Sequence, residues 1–427
     1  MLRMQLLCGA LFLPIAGAAG SLYAQTEVVS QVNPDREAGH SAVRRLEGNA
    51  AEANGDFPLA DAESQGVHPD ALTRLSNLIR GFLDADEIVG AELLIIKNRY
   101  TILHEAFGVD GRLRNEPMKK NTIFSIRSMT KPLVGVLTQM MIDEGVLQLS
   151  APVAKYIPAF DNTVSRKITV QQLLTHRSGL PMRSPGRLWS DYGSYKSVQE
   201  LAAYWGNYGP LLFEPGTDYH YADANVDTLA AVIETVTGNA AEELIQRRLL
   251  NPLGMEDTIP LLREGDVRVN RVATKYAGGR GGWRPFWSWN GKPYFAFPMF
   301  AQGFYSTTSD YACFLAMLLD GGEFAEQRLL SQEAVRRVLT PVSETTMPTG
   351  VARVSSSYGQ LMHLYNDRDE LIVFGHSGSD GTYAWVWPGE DLIVLYFTQS
   401  RGSNTMARME AVLDTLLGRP VGHRSGP

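Results

Sequence analysis

Runs rich in β-branched and aromatic residues stand near both ends of this 427-residue chain, with a mainly helical stretch between them. Ala91 to Ile96 and Thr101 to Phe107 flank the polar turn Lys97-Asn98-Arg99, and Leu371 to Phe374, Thr382 to Trp387 and Leu392 to Thr398 follow far downstream. Helices are expected at His68 to Leu83 and around Thr405 to Leu417. The economical fold is therefore α+β: one antiparallel sheet built from both chain ends and flanked by helices, with an all-helical region inserted between. A functional site would lie at the seam of the two.

The first 24 residues read as a Sec-type signal peptide. Arg3 supplies the charged start, Leu6 to Ile15 the apolar core, and Ala16-Gly17-Ala18 or the stretch ending at Ala24 a small-residue cleavage site. The apolar run is too short to span a membrane, so no stable insertion is expected after cleavage. Cys8 leaves with it, and Cys313 is then the one cysteine in the sequence, so no internal disulfide can form. That pattern fits a bacterial periplasmic or secreted protein whose stability rests on core size. Residues 25–64 are polar and lack periodicity, as an extended arm or linker would. Residues 65–418 are expected to form the folded domain, and 419–427 a disordered tail. The net charge is −7, or about −8 without the signal, which gives no reason to expect a nucleic-acid or anionic membrane partner.

Ser128-Met129-Thr130-Lys131 carries the strongest chemical signal. Pro132 is tolerated only in a first helical turn, so a helix begins near Ser128, runs along Leu133, Val136, Leu137, Met140 and Met141, and stops at Gly145. Residues three apart share a face, so the Ser128 hydroxyl and the Lys131 amine can meet as nucleophile and base. The amine serves as base only when depleted of its own proton, and burial beside other donors is expected to lower its pKa toward neutrality. Two further segments offer partners. Tyr221 lies on a loop before a helix ended by Gly238, where its phenol could relay a proton beside Lys131 or simply pack as an aromatic. Gly375-His376-Ser377-Gly378 closes one strand, and its small residues would let a substrate carbonyl approach, so the Ser379 N–H could join the Ser128 N–H in an oxyanion hole with His376 as an added polar donor.

In this order and spacing the segments resemble the serine β-lactamase-related family, in the branch of class C β-lactamases, DD-peptidases, esterases and 6-aminohexanoate-oligomer hydrolases. The likeness covers roughly residues 65 to 418 and includes Phe124 to Lys131, Leu173 to Leu180, Glu214 to Thr217 before Tyr221, Gln302 to Thr307, and His376-Ser377-Gly378. It implies a β-lactamase/transpeptidase-like fold and an acyl-enzyme on Ser128. It further implies proton transfer through Lys131 and Tyr221, oxyanion support from the Ser128 and Ser379 amides, and His176 as a loop-shaping residue. Two departures stand out. Tyr221-Ala222-Asp223 replaces Tyr-x-Asn, and an ionised Asp223 offers no N–H to a substrate amide. It could instead pair with Lys131, bind a substrate ammonium, or cap the helix from Asn225 onward. His376 stands where penicillin-recognising members place a lysine, and a neutral imidazole meets a carboxylate weakly.

The expected activity is therefore that of a serine hydrolase acting on small esters or amides, or on a β-lactam-like substrate. A β-lactamase or DD-peptidase is the first alternative, and a catalytically idle peptidoglycan-binding scaffold the second. The aromatic segment Trp283 to Phe300 could wall an acyl pocket or pack under a long loop. The eight histidines show no metal-ligand spacing, so no metal or other cofactor is expected. Gly278 to Gly282 lacks the Lys-Ser/Thr of a phosphate loop and reads as a flexible connection, and no G-x-S-x-G elbow is present.

Overall fold

The computed structural model describes residues 57–111, 115–182, 195–208, 211–345, 354–403 and 405. The expected signal peptide, most of the arm, the last helix and the tail lie outside them. Nine strands form one antiparallel sheet in the order Ser343–Glu344, Val354–Tyr358, His363–Asp367, Glu370–Gly378, Thr382–Trp387, Leu392–Thr398, Gly90–Lys97, Tyr100–Gly111 and Glu116–Pro117. The two chain ends meet where Gly90–Lys97 pairs with Leu392–Thr398, from Ala91 opposite Thr398 to Lys97 opposite Leu392.

Both faces of this central pair are covered, which is why its strands read as unbroken apolar runs instead of alternating ones. The helix Pro69–Asp84 lays Leu72, Leu75, Ile79 and Phe82 against Leu93, Ile95, Val394 and Tyr396. Leu94, Ile96, Ile393 and Leu395 point the other way, into the larger core shared with the helices Thr130–Asp143 and Thr308–Leu319. Helix Pro69–Asp84 starts where expected because His68 Nδ1 accepts from the Asp70 N–H and Pro69 sits where no N–H is needed.

One expectation is corrected. The region between the sheet halves is not all helical: Lys275–Ala277 and Arg284–Trp287 form a small sheet with Ser400–Arg401. At the described end of the expected arm or linker, Ala60 donates to the Thr101 carbonyl at 3.1 Å and Thr101 to the Pro58 carbonyl at 2.9 Å. Ser343 to Asp367 adds three strands that sequence patterning passes over, because the three serines of Val354-Ser-Ser-Ser-Tyr358 are too polar to advertise burial.

Helix Thr130–Asp143 is buried on every side from Thr130 to Met141. Its first turn is pinned from three directions, by Ile126 N–H on the Phe304 carbonyl, Phe304 N–H on Thr130 Oγ1, and the Tyr311 hydroxyl on the Met129 carbonyl. Among the described residues no helix is long and apolar enough to cross a membrane. Ile95 sits at 0 % exposure in the central strand, so Ile95→Ala should lower the unfolding free energy by about 2–5 kcal/mol in urea titration.

Candidate active site

Ser128 occupies the middle of a 3₁₀ turn, Arg127–Met129, and Lys131 is the second residue of the helix that follows. One turn separates them, and Lys131 Nζ lies 3.3 Å from Ser128 Oγ. The amine is wholly buried and also donates to Asp223 Oδ1 at 2.6 Å and to the Ala301 carbonyl at 2.8 Å. Tyr221 closes the group: its ring centroid is 4.7 Å from Nζ, and Lys131 and Ser128 both act electrostatically on its oxygen. Ser128 and Tyr221 keep partial exposure. These two residues therefore stand nearer to solvent than the wholly buried amine.

The charge on this group differs from expectation. Burial presses the Lys131 pKa down, but the Asp223 carboxylate and the Tyr221 oxygen outweigh it, and the pKa ends above its ordinary value. Lys131 is an ammonium in the resting site. Burial also raises the Tyr221 pKa, against the pull of Lys131, so the phenol keeps its proton at neutral pH.

Asp223 is the first residue of helix Asp223–Thr237, whose N-cap position is Ala222, and its side chain makes no cap. Oδ1 is taken by Lys131 and Oδ2 by Gln302 Nε2 at 3.0 Å. Of the three roles open in the sequence, pairing with Lys131 is the one the structure shows. One turn along, Asp227 Oδ1 accepts from the N–H groups of Phe300 and Ala301 at 2.8 and 3.1 Å. That grip aims the Ala301 carbonyl at Lys131. Burial, with Asp223 nearby, pushes the Asp227 carboxyl up to about 7.

His176 shapes the loop that carries Tyr221. Its carbonyl accepts from His220 N–H at 2.9 Å, its Nδ1 from Ala222 N–H at 3.2 Å and from Asn225 Nδ2 at 2.8 Å, and its ring lies 4.6 Å from that of Tyr221.

Ser379 follows strand Glu370–Gly378 and is exposed. A Cβ at Gly378 would collide with the Ile126 carbonyl oxygen and with Thr382 Oγ1. Glycine at 378 thus lets the strand end run against the turn carrying Ser128. His376 is corrected. Its Nδ1 must donate to the Ser377 carbonyl at 2.8 Å, which leaves Nε2 to accept from the Tyr358 hydroxyl at 3.0 Å. Burial holds its pKa well below the usual histidine value. Neutral, with its one N–H committed, it has no donor to offer an oxyanion or a substrate.

The Beta-lactamase family model matches residues 75–419. The chain belongs to the Beta-lactamase family. As the sequence resemblance implied, it is a serine hydrolase. Esterase EstB of Burkholderia gladioli is 28 % identical over 43 % of this chain and 50 % of its own length. The solved structure of EstCE1, a hydrolase with promiscuous acyltransferase activity, superposes with a TM-score of 0.69 at 19 % identity, over 81 % of this chain and 98 % of that one. D-amino acid amidase from Ochrobactrum anthropi SV3, complexed with L-phenylalanine amide, gives 0.65 at 21 %, over 81 % and 98 %. These two likenesses establish the β-lactamase/transpeptidase-like fold.

In this Beta-lactamase family chain the aromatic segment packs onto cations. Tyr294 lies 4.0 Å from Lys275 Nζ and 4.8 Å from Arg127 Cζ, with Trp287 and Phe286 at 5.2 and 5.6 Å from Lys275. Phe297 and Phe300 enter the main core. Asp227 and Lys275 are site residues that sequence reasoning missed, and Gln302 entered it only as part of the Gln302 to Thr307 resemblance, without a role. Only Asp227 left a legible signal, four residues after Asp223 on one helix face.

Asp227 also yields a test of the buried electrostatics. A carboxyl raised to about 7 in the folded protein, from 3.8, contributes stability that is full below pH 3.8 and is lost as pH rises through 7. Asp227→Asn keeps an oxygen for the two N–H groups and removes the titration. The fall in thermal midpoint between pH 5 and pH 8 should therefore be smaller in the variant than in the parent protein.

Proposed function

We propose that this hydrolase cleaves esters or amides of small acyl groups through an acyl-enzyme on Ser128, with Asp223 as the terminal proton acceptor. The observation that carries the reading is the position of Lys131 Nζ, 3.3 Å from Ser128 Oγ on one side and 2.6 Å from Asp223 Oδ1 on the other. As Ser128 attacks the carbonyl carbon, its proton passes to Lys131 while Lys131 passes one to Asp223. The charge on the amine is unchanged, and the carboxylate becomes neutral. The amides of Ser128 and Ser379 receive the oxyanion. Collapse of the tetrahedral intermediate expels the alkoxide or amine, which takes the proton returned from Asp223 through Lys131 and Tyr221. A water molecule then repeats the sequence on the acyl-enzyme.

The activities named for EstB and for the amidase support esters and amides as the substrate class. Against β-lactams stand the committed N–H of His376 and the missing N–H at Asp223, two donors that recognition of a carboxylate and a lactam amide would use. The leader sequence and the single cysteine beyond it support a periplasmic or secreted location.

Turnover of p-nitrophenyl butyrate and of 6-aminohexanoate dimer should exceed that of nitrocefin. Strong nitrocefin hydrolysis without ester cleavage would reverse the assignment. Lys131→Ala, Tyr221→Phe and Asp223→Asn should each lower kcat by more than about 100-fold, the scale of lost acid–base assistance. Parental rates in Asp223→Asn would remove the carboxylate from the relay and leave Lys131 as the sole base.

A further inference from the structure

The two amides assigned to the oxyanion hole belong to segments far apart in sequence, and one carboxylate ties them together. Asp380 follows Ser379 and is 0 % exposed. Its Oδ2 accepts from Arg127 Nε at 2.6 Å, across 253 residues of chain, and Arg127 is the residue before Ser128. Lys275 Nζ lies 3.3 Å from the same oxygen, and Arg401 Nη2 lies 3.0 Å from Oδ1. Arg401 also donates to the Ser379 carbonyl at 3.3 Å and to the Ser379 hydroxyl at 3.2 Å. Through two arginines, Asp380 holds the neighbours of both amides.

Two features set this cluster apart from an ordinary structural ion pair. Arg127 has φ of +45°, a conformation that costs a residue with a Cβ and persists only where its surroundings enforce it. The enforcement here is visible: Asp380 on the guanidinium, Gln302 Oε1 at 3.4 Å from Nη1, and the rings of Tyr294 and Phe295 against its face. Two guanidinium groups and the Lys275 amine also converge on a single buried carboxylate, where well-packed apolar side chains of similar volume often cost no stability. Such a cluster at this place secures geometry more than it secures stability.

We propose that Asp380 is a positioning residue for the oxyanion hole, setting the aim of the Ser128 and Ser379 amides by holding Arg127 and Arg401. The inference rests on the reading above that these two amides receive the oxyanion. Gly378 allows the two segments to touch, and Asp380 fixes how they are turned against each other. Donors must sit about 2.7–3.1 Å from the developing oxyanion, and a small rotation weakens transition-state binding while leaving the ground state alone. The signature of the clamp is therefore a loss in kcat without a rise in KM.

The test uses the full enzyme and p-nitrophenyl butyrate. Asp380→Asn should lower kcat by about 10- to 100-fold with KM within about twofold of the parent value, and weaken a boronic acid that becomes tetrahedral on Ser128 in parallel with kcat/KM. Arg401→Gln, at a partly exposed side chain, should show the same split at smaller size. Arg127→Met combined with Asp380→Asn should lose no more than the worse single variant, as two members of one device do. A folded Asp380→Asn enzyme with parental kcat, a loss confined to KM, or fully additive effects would each overturn the clamp. If Asp380→Asn does not fold, parental kcat in Arg401→Gln overturns it. Ser128→Ala separates the two readings: its inactivity beside an active Asp380→Asn sinks the clamp alone, whereas an active Ser128→Ala sinks the oxyanion assignment as well.

Discussion

The ion pair between Lys131 and Asp223 is the interaction on which the rest of the site depends. Two opposite charges 2.6 Å apart, with the amine wholly excluded from solvent, carry a desolvation cost of several kcal/mol per ion, and their attraction repays it only when the remaining hydrogen-bonding capacity is met. The chain meets it from separate segments. Ser128 and the Ala301 carbonyl complete the ammonium, Gln302 completes the carboxylate, and Asp227 aims the backbone at Ala301 from below. Helix Thr130–Asp143, helix Asp223–Thr237 and the loop at 300–302 must all be in place for the pair to exist.

From that pair follows the division of labour within the site. The alcohol and the phenol are partly exposed, and the charges that move protons lie behind them. A lone buried lysine would solve the desolvation problem by giving up its proton. Adding a carboxylate keeps the proton on the amine and moves the point of neutralisation one atom group further back. The same chemical logic, a charge held by partners from distant parts of the chain, recurs at Asp380, where burial opposes ionisation but Lys275, Arg127 and Arg401 bring the carboxyl down to about 2.

Much of this was legible in the sequence, and the reasons differ by residue. The central strands announced themselves because burial on both faces leaves no polar alternation, and Ser128 with Lys131 because helical spacing alone brings them together. Tyr221 gave away its loop through the helix after it and that helix's stop at Gly238. Asp223 left three roles open, since only tertiary packing decides which cation a carboxylate meets. His376 read as a donor until the Ser377 carbonyl and Tyr358 were seen to use both ring nitrogens. Lys275 and Asp380 carried no local pattern: Lys275 and Arg127 both reach Asp380 from more than a hundred residues away, and the aromatic rings over Lys275 looked equally suited to an acyl pocket. The serine-rich strand Val354–Tyr358 was silent because its three serines give no apolar signal, although Tyr358 enters the main core.

The charge on Lys131 can be measured directly by following the side-chain carbon shifts of isotopically labelled lysine through a pH titration, with Lys131→Met assigning the signal. The ammonium held by Asp223 should persist past neutrality and begin to titrate only above the ordinary lysine value of 10.5. A titration centred near about pH 7, the poise of a free general base, would show an amine already stripped of its proton and contradict the ion pair at the centre of the site.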